Sequence, residues 1–384
     1  VLDLSEVVAG PMIGRMLADL GAEVIKVERP GMGDITRTVQ PAVEGQSVYY
    51  AQMNAGKRGV CIDLRHEQGA SIVASLAAHC DVFVENFRPG VLARRGLDAT
   101  TLRAAHPRLV YCSVSAWGQD GPWTARRGYA PLIHAQTGLI ELSGRLRDRP
   151  AEQEVHVYAD LYTGFFATSA VLAALYQRTV TDEGQHLDVS MAEAFVYGDD
   201  WAAVDLHGMG RERFFDIWNH PVVVLGDGSQ ATIVANPDRN AEKLIEALAG
   251  DAARDAFLAD PRCATEPARH ANREHVLGEI RRVARTVPDF ATLEARFEAA
   301  GQMAAEVRSV AELAATDWAA DRGVFAEVEP GVRVPARPWR SDAADIGVRG
   351  PGPRQGEHTD DVLRDLLGAD DDTIAAWRAA GAIV

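Results

Sequence analysis

Short apolar runs alternate with stretches of helical spacing through the first two hundred residues. "VLDLS" (1–5) is strand-like, and "AGPMIGRMLADLGA" (9–22) is a helical pattern bounded by glycines. "EVIKVERP" then reads as a strand, "VCIDL" as another, and "RHEQGASIVASLAAHC" as a helix. "DVFVENF", the helical "TLRAAH" and "RLVYCSVSAWG" continue the alternation. Strands separated by helices of this length predict βαβ units and a largely parallel sheet. "VYADLYTGFFATSAVLAAL" (157–175) predicts a long apolar helix with one charged residue, Asp160, near its start. "DEGQ" follows as a turn, and "HLDVS" is a last strand running into "MAEAF".

The pattern changes near residue 206. "PVVVLGDGSQATIVAN" predicts an antiparallel hairpin turning at Asp227-Gly228, with Ala-rich helices from about 240 to 315. Pro and Gly crowd the stretch 330–353, as in a surface-crossing connection. The final "EHTDDVLRDLLGADDDTIAAWRAAGAIV" carries two short amphipathic helices.

Composition narrows the class. The 384 residues suffice for two compact units, and 47% hydrophobic with 24% charged residues is an ordinary globular balance. Thr, Ser and Gly interrupt even the run after Asp160, so no membrane span is predicted. The formal net charge of −16 argues against general nucleic-acid binding. The cysteines at 61, 80, 112 and 263 lack CxxC or zinc-ligand spacing, which reads as reduced thiols in a cytoplasmic protein. No secretory signal is visible, and the opening "VLDLS" without a Met leads to the expectation of a short preceding segment.

Among candidate chemistries, a dinucleotide site fits poorly. The turn "VVAGPMIG" has G-P-x-x-G rather than GxGxxG, and Pro11 removes a backbone donor. There is no GxSxG for a serine hydrolase, and the histidines are too scattered for a metal site. Arginines are more informative. Several of Arg37, Arg65, Arg88, Arg94, Arg95, Arg126 and Arg127 come just after strand-like segments, on loops that line the crevice of an open α/β sheet. In an acidic chain such a set suits a polyanionic ligand. Asp160 itself reads as a helix N-cap, or as a nucleophile at the positive end of a helix; the two are compatible.

Several of these segments together resemble one family, the family III CoA-transferases. They are "VLDLSEVVAGPMIGRMLADLGAEVIKVERPGMGDITR", "ENFRPGVLARRGL", "RLVYCSVSAWGQDGP", "DLYTG", "GQHLDVSMAEA" and "GEHTDDVL". The family includes formyl-CoA transferase, carnitine-type CoA-transferases and α-methylacyl-CoA racemase. The resemblance implies an α/β fold: a large Rossmann-like domain with a parallel sheet, built from both chain ends, plus a small inserted α+β domain. Expected boundaries are 1–205 for the large CoA-binding part, 206–320 for the small domain and 321–384 for the return segment. It also implies an interlocked homodimer, with coenzyme A or acyl-CoA and a carboxylic acid as substrates and no tightly bound cofactor.

By the same resemblance Asp160 is the nucleophile. A carboxylate gives a mixed anhydride that CoA thiolate can attack, whereas a Ser or Thr ester would lose the thioester's activation. Val7, Arg37, Arg65, Asn86, Phe87, Arg94, Arg127 and Met191 are the implied CoA contacts, Arg37 and Arg65 on the nucleotide phosphates. Arg65 and Arg127 stand where formyl-CoA transferase has lysines. Val8 replaces a Gln close to the acyl group in that enzyme, and Ala130 replaces an acidic residue after Gly-Tyr, so formyl-CoA:oxalate specificity is not implied. The alternatives are a 2-methylacyl-CoA racemase and a non-catalytic CoA-binding homologue. A racemase needs an acid–base group on each face of the substrate carbon. Here Tyr129 and Asn236 occupy the positions of its His and Glu. Phe214, Phe215 and Trp218 offer either an acyl-pocket wall or simple packing.

Overall fold

A computed structural model describes residues 1–147, 149–208 and 220–384. Two compact units divide the chain, one formed by residues 1–142, 151–203 and 317–384, the other by 143–150 and 204–316.

The first unit is built on a six-stranded sheet: β1 (Leu2–Asp3), β2 (Ile25–Glu28), β3 (Arg58–Cys61), β4 (Val82–Glu85), β5 (Val110–Ser115) and β6 (His186–Ser190). All pairings are parallel and the spatial order is β3-β2-β1-β4-β5-β6. The crossovers include α1 (Ala9–Asp19), α2 (Val48–Asn54), α3 (Glu67–Ala77), α4 (Ala99–Ala105), α5 (Ala130–Gln136) and α6 (Tyr158–Thr181); α7 (Met191–Gly198) follows β6. Strand side chains alternate between faces, so Ile25, Val27, Phe83 and Tyr111 pack into one core and Val24, Val82, Val84, Val110 and Cys112 into the other. Covering both faces with helices is why these strands read as nearly continuous apolar runs. The strand order reverses between β1 and β4, leaving a crevice at their carboxyl ends where open α/β sheets bind ligands.

This unit contains both chain ends, but its sheet does not, and that part of the expectation needs correction. All six strands come from residues 2–190, and the C-terminal segment adds no strand to the sheet. It joins this unit through a hairpin (Phe325–Glu329 with Val332–Pro335), a single bridge between Ile383 and Ile62, and the helices Thr359–Leu367 and Asp371–Ala379. Val362, Leu363 and Ile374 of those helices are buried in the first core. The two short amphipathic helices cover a face of the sheet, and only the Ile383 bridge touches its β3 edge.

The second unit has an antiparallel sheet of β7 (Val222–Val224), β8 (Gln230–Val234) and β9 (Met303–Glu306), ordered β9-β8-β7. The hairpin turns at Asp227-Gly228 as its sequence predicts. Gly228 takes φ +90°, and Asp227 Oδ1 accepts from Ser229 N at 2.9 Å. Helices between Pro237 and Ala299 supply the rest of its core, including Leu244, Ile280 and Phe297. The four cysteines are free thiols. Among the described residues no helix is long and apolar enough to cross a membrane. Phe214, Phe215 and Trp218 lie outside the described residues.

Candidate active site

Asp160 is the third residue of α6, not its N-cap. The helix begins at Tyr158 after Val157, which has no capping side chain. The free N–H of Ala159 donates instead to His134 Nε2 at 3.1 Å, a ring on α5 that burial keeps below its ordinary pKa and therefore neutral. Relieved of capping, the Asp160 carboxylate is free to face the crevice. Burial pushes its pKa up to about 6, against the backbone N–H groups of Ala9, Ala130 and Asp160 itself, which pull it down. Ala9 opens α1 and Ala130 opens α5, so the starts of α1, α5 and α6 converge on this carboxylate. Desolvation outweighs the three donors, so the carboxyl titrates above its ordinary range yet stays mostly ionised at neutral pH. The phenol of Tyr49, on α2, is pushed up by burial and by the Asp160 carboxylate, which makes it a neighbour that the sequence did not reveal.

Close helix contacts fix this arrangement. A Cβ on Gly164 would come within 2.8 Å of Met12 Cγ and 3.2 Å of Ala9 O, so Gly164 lets α6 lie against the start of α1. A Cβ on Gly10 would fall 2.2 Å from that of Ser5, so α1 can start directly behind the β1 loop only with glycine there.

Asp160 lies in a cavity of about 140 Å3 that is also lined by Val7, Asn86, Phe87, Arg127 and Met191. Six of the nine expected residues therefore meet. Val7 is held at φ +75°, a costly conformation for a β-branched residue. Its N–H donates to both oxygens of Asp34, each at 3.3 Å. Asn86 clamps the adjoining residue, accepting from Glu6 N at 2.9 Å and donating to Glu6 O at 2.7 Å. Under this loop lie two buried ion pairs, Lys26–Asp34 at 3.0 Å and Lys57–Asp3 at 2.8 Å. Burial opposes the charge on Lys26, but Asp3, Asp34 and Glu28 outweigh it and hold its pKa above the usual value. Burial does prevail at Lys57, which is pulled down to about 8.

A second cavity, of about 750 Å3, shares Phe87 and Arg88 with the first. Arg29, Arg65 and Arg95 also line it, beside Glu6, Glu28 and Asp63. Arg65 is exposed and pairs with Asp63 at 2.8 Å. Arg37 is spent elsewhere: its guanidinium donates to Glu28 at 2.8 Å, Tyr50 Oη at 2.7 Å and Pro353 O at 3.0 Å, bracing the loop after β2. It lines neither cavity. Arg94, in the turn Ala93–Arg95, also lines neither, while its neighbour Arg95 does. Arg29, Arg88, Arg95, Arg126 and Tyr129 complete the basic and aromatic lining of the cavities. The first four follow strand ends at the carboxyl edge of the sheet, and that placement is the sequence signal they carried.

In the second unit Asp260, Cys263 and His275 bring metal-capable atoms within 4.8 Å of one another. The chemistry does not suit a cation. Asp260 already pairs with Arg262 at 2.8 Å and His275 at 3.0 Å, and burial pushes the Cys263 thiol up to about 11.

A crevice at the sheet's switch point, with a half-buried carboxylate beside an arginine-lined cavity, marks an open α/β protein with a basic cleft at the carboxyl edge of its sheet. The sequence matches CoA-transferase family III over residues 1–359, and the chain belongs to that family. It is 32% identical to the succinate–glutarate CoA-transferase of Agrobacterium fabrum, over 95% of this chain and 94% of that one. It is 30% identical to the β subunit of succinyl-CoA–L-malate CoA-transferase of Chloroflexus aurantiacus, over 99% and 96% of the two chains. A CaiB/BaiF family protein from Brucella suis has the same fold, with a TM-score of 0.84 and 31% identity over 95% of this chain and 97% of that one. Enzymes of this family use CoA thioesters as substrates.

Proposed function

We propose that the protein moves CoA from a short dicarboxylic acyl-CoA to a dicarboxylic acid, with Asp160 as nucleophile. The observation that carries this reading is the half-buried Asp160 carboxylate, ringed by backbone N–H groups and sharing its cavity wall with an arginine-lined pocket. The named activities of the relatives from Agrobacterium and Chloroflexus supply the dicarboxylate class. CoA would lay its nucleotide phosphates along Arg29, Arg65, Arg88 and Arg95 and carry its thioester past Phe87 to Asp160.

In the first step an Asp160 oxygen attacks the thioester carbonyl, the C–S bond breaks, and CoA leaves as thiolate with a mixed anhydride behind it. The thiolate attacks the Asp160 carbonyl, releasing the donor acid as carboxylate and forming the aspartyl-CoA thioester. The acceptor carboxylate then attacks that thioester and the two steps run in reverse, so no net proton is exchanged. The Ala9 and Ala130 N–H groups are suited to stabilise the oxyanion formed at each attack. A half-buried site limits hydrolysis of both intermediates.

A racemase reading has less support. Tyr129 lines the cavity, but Asn236 Oδ1 accepts from Asp238 N at 3.0 Å and Arg239 N at 3.3 Å as the cap of its helix, and has no acid–base function. Association of two copies is proposed as well. On α6, Phe165, Leu172, Tyr176 and Val180 are exposed, an apolar stripe suited to a second chain.

Intact-protein mass spectrometry after mixing wild type and Asp160→Ala with succinyl-, glutaryl- and acetyl-CoA, then quenching with hydroxylamine, tests the mechanism. A CoA-sized adduct or trapped hydroxamate on wild type alone is expected. The same adduct on both proteins, or none with any donor, would overturn it.

A further inference from the structure

The thioester and the arm leading to it carry no charge, yet the cavity around Asp160 holds three guanidinium groups, Arg88, Arg126 and Arg127, facing one carboxylate. Arg88 is shared with the larger cavity, where phosphates would bind. Arg127 is the expected CoA contact. Arg126 is left without an assignment, and among the described residues it makes no ion pair. The same holds of Arg88 and Arg127 among the described residues, so three guanidinium groups meet one carboxylate here, whereas Arg15, Arg37, Arg58 and Arg178 each have a carboxylate of their own.

Arg126 is held in place. Its guanidinium carbon lies 4.0 Å from the centre of the Trp123 ring, and Trp123 meets Trp117 edge-on at 4.9 Å. The loop beneath is pinned to the sheet, with Gly118 N donating to Ser115 Oγ at 3.0 Å and Gln119 N to Asp188 Oδ2 at 2.8 Å. A guanidinium stacked on a ring uses its flat face and keeps its in-plane N–H groups, the edge that binds a carboxylate through two parallel hydrogen bonds. A cavity of about 140 Å3 suits a short acid and not a long acyl chain.

We infer that Arg126, stacked on Trp123, binds the distal carboxylate of a dicarboxylic acid while its other carboxyl group reacts at Asp160. The assignment rests on the CoA-transfer reading for the reacting end and adds the residue that selects the acid.

Calorimetric titration of the CoA-bound protein with glutarate and with valerate, which has the same chain length and one carboxylate fewer, tests it without turnover. Wild type should prefer glutarate by at least about tenfold, the worth of a charge-assisted pair. Arg126→Gln should bring that preference down to about threefold or less, and Arg126→Lys should restore part of it, since a point charge replaces a fork. Equal binding of the two acids by wild type would overturn the inference. So would a preference that persists in Arg126→Gln, or one that vanishes only in Arg127→Gln. Hydroxylamine trapping on the same proteins reports the transfer chemistry separately. Loss of the preference in Arg126→Gln with no Asp160 adduct in any sample would keep the acid subsite and discard the transfer mechanism.

Discussion

Replacing Asp160 by Asn should make the protein more stable at neutral pH while abolishing the proposed chemistry. Burial raises the Asp160 carboxyl from 3.8 to about 6. Between those values the folded protein binds more protons than the unfolded chain, so this group's contribution to stability falls as pH rises through the window. Below the unfolded value the two states are alike and nothing is lost. Above about 6 the whole penalty applies, and at 1.36 kcal/mol for each tenfold change in proton affinity it amounts to about 3 kcal/mol. Asn keeps an oxygen to accept from Ala9 and Ala130 but does not ionise, so it escapes the penalty.

The assay is urea denaturation of both proteins at pH 5, 6, 7 and 8. Asp160→Asn should gain on wild type as pH rises through 6 and then hold a constant lead. Catalysis should follow the opposite side of the same titration. The rate of hydroxamate trapping in wild type should fall to about one-tenth of its plateau at pH 5, where the nucleophile is mostly protonated. A stability difference that does not change between pH 5 and 8 would refute the argument, because the burial cost would then not be borne by this carboxylate.

Val7→Gly should cost less than about 1 kcal/mol in thermal denaturation, because relief of the strained φ offsets the added chain entropy; the KM for acyl-CoA should rise as a cavity wall is lost. Lys57→Met removes the amine that donates to Asp3 at 2.8 Å, Asn54 Oδ1 at 2.8 Å and Pro11 O at 2.9 Å. Leaving Asp3 buried without its partner should cost about 3–5 kcal/mol by chemical denaturation. Arg95→Gln should raise the KM for acyl-CoA by about tenfold, more than it lowers kcat, and should weaken the salt dependence of KM in initial-rate kinetics.

The strands were legible because a sheet covered on both faces writes its core as apolar runs, and the Asp227-Gly228 turn because its φ demands glycine. Charges inside those strands were not. Asp3, Lys26 and Glu28 read as ordinary polar positions in "VLDLS" and "EVIKVERP", and only the fold shows Lys26 and Asp3 fully buried in ion pairs. Loop position likewise located the arginines but not their direction. Arg37 and Arg95 both follow strand ends, yet Glu28 takes the first, nine residues away in sequence, while the second faces the cavity. The start of α6 was illegible for a similar reason: the group that meets the N–H of Ala159 is His134, twenty-five residues away, and not a neighbour in the apolar run.

Those unreadable charges bear directly on the nucleophile. Lys57 ties Asp3, at the end of β1, to Pro11 O in the first turn of α1, and Lys26 ties the carbonyl of Ser5 to Asp34, which accepts from Val7 N. The loop between β1 and α1 is thereby fixed from below, while Asn86 fixes it from β4. Its rigidity sets Val7 in the cavity wall and aims the N–H of Ala9 at Asp160. Buried ion pairs add little net stability, and here they preorganise a backbone donor. That donor, with those of α5 and α6, is what limits the rise of a half-buried carboxyl to about 6, leaving it desolvated enough to be reactive and still ionised at neutral pH.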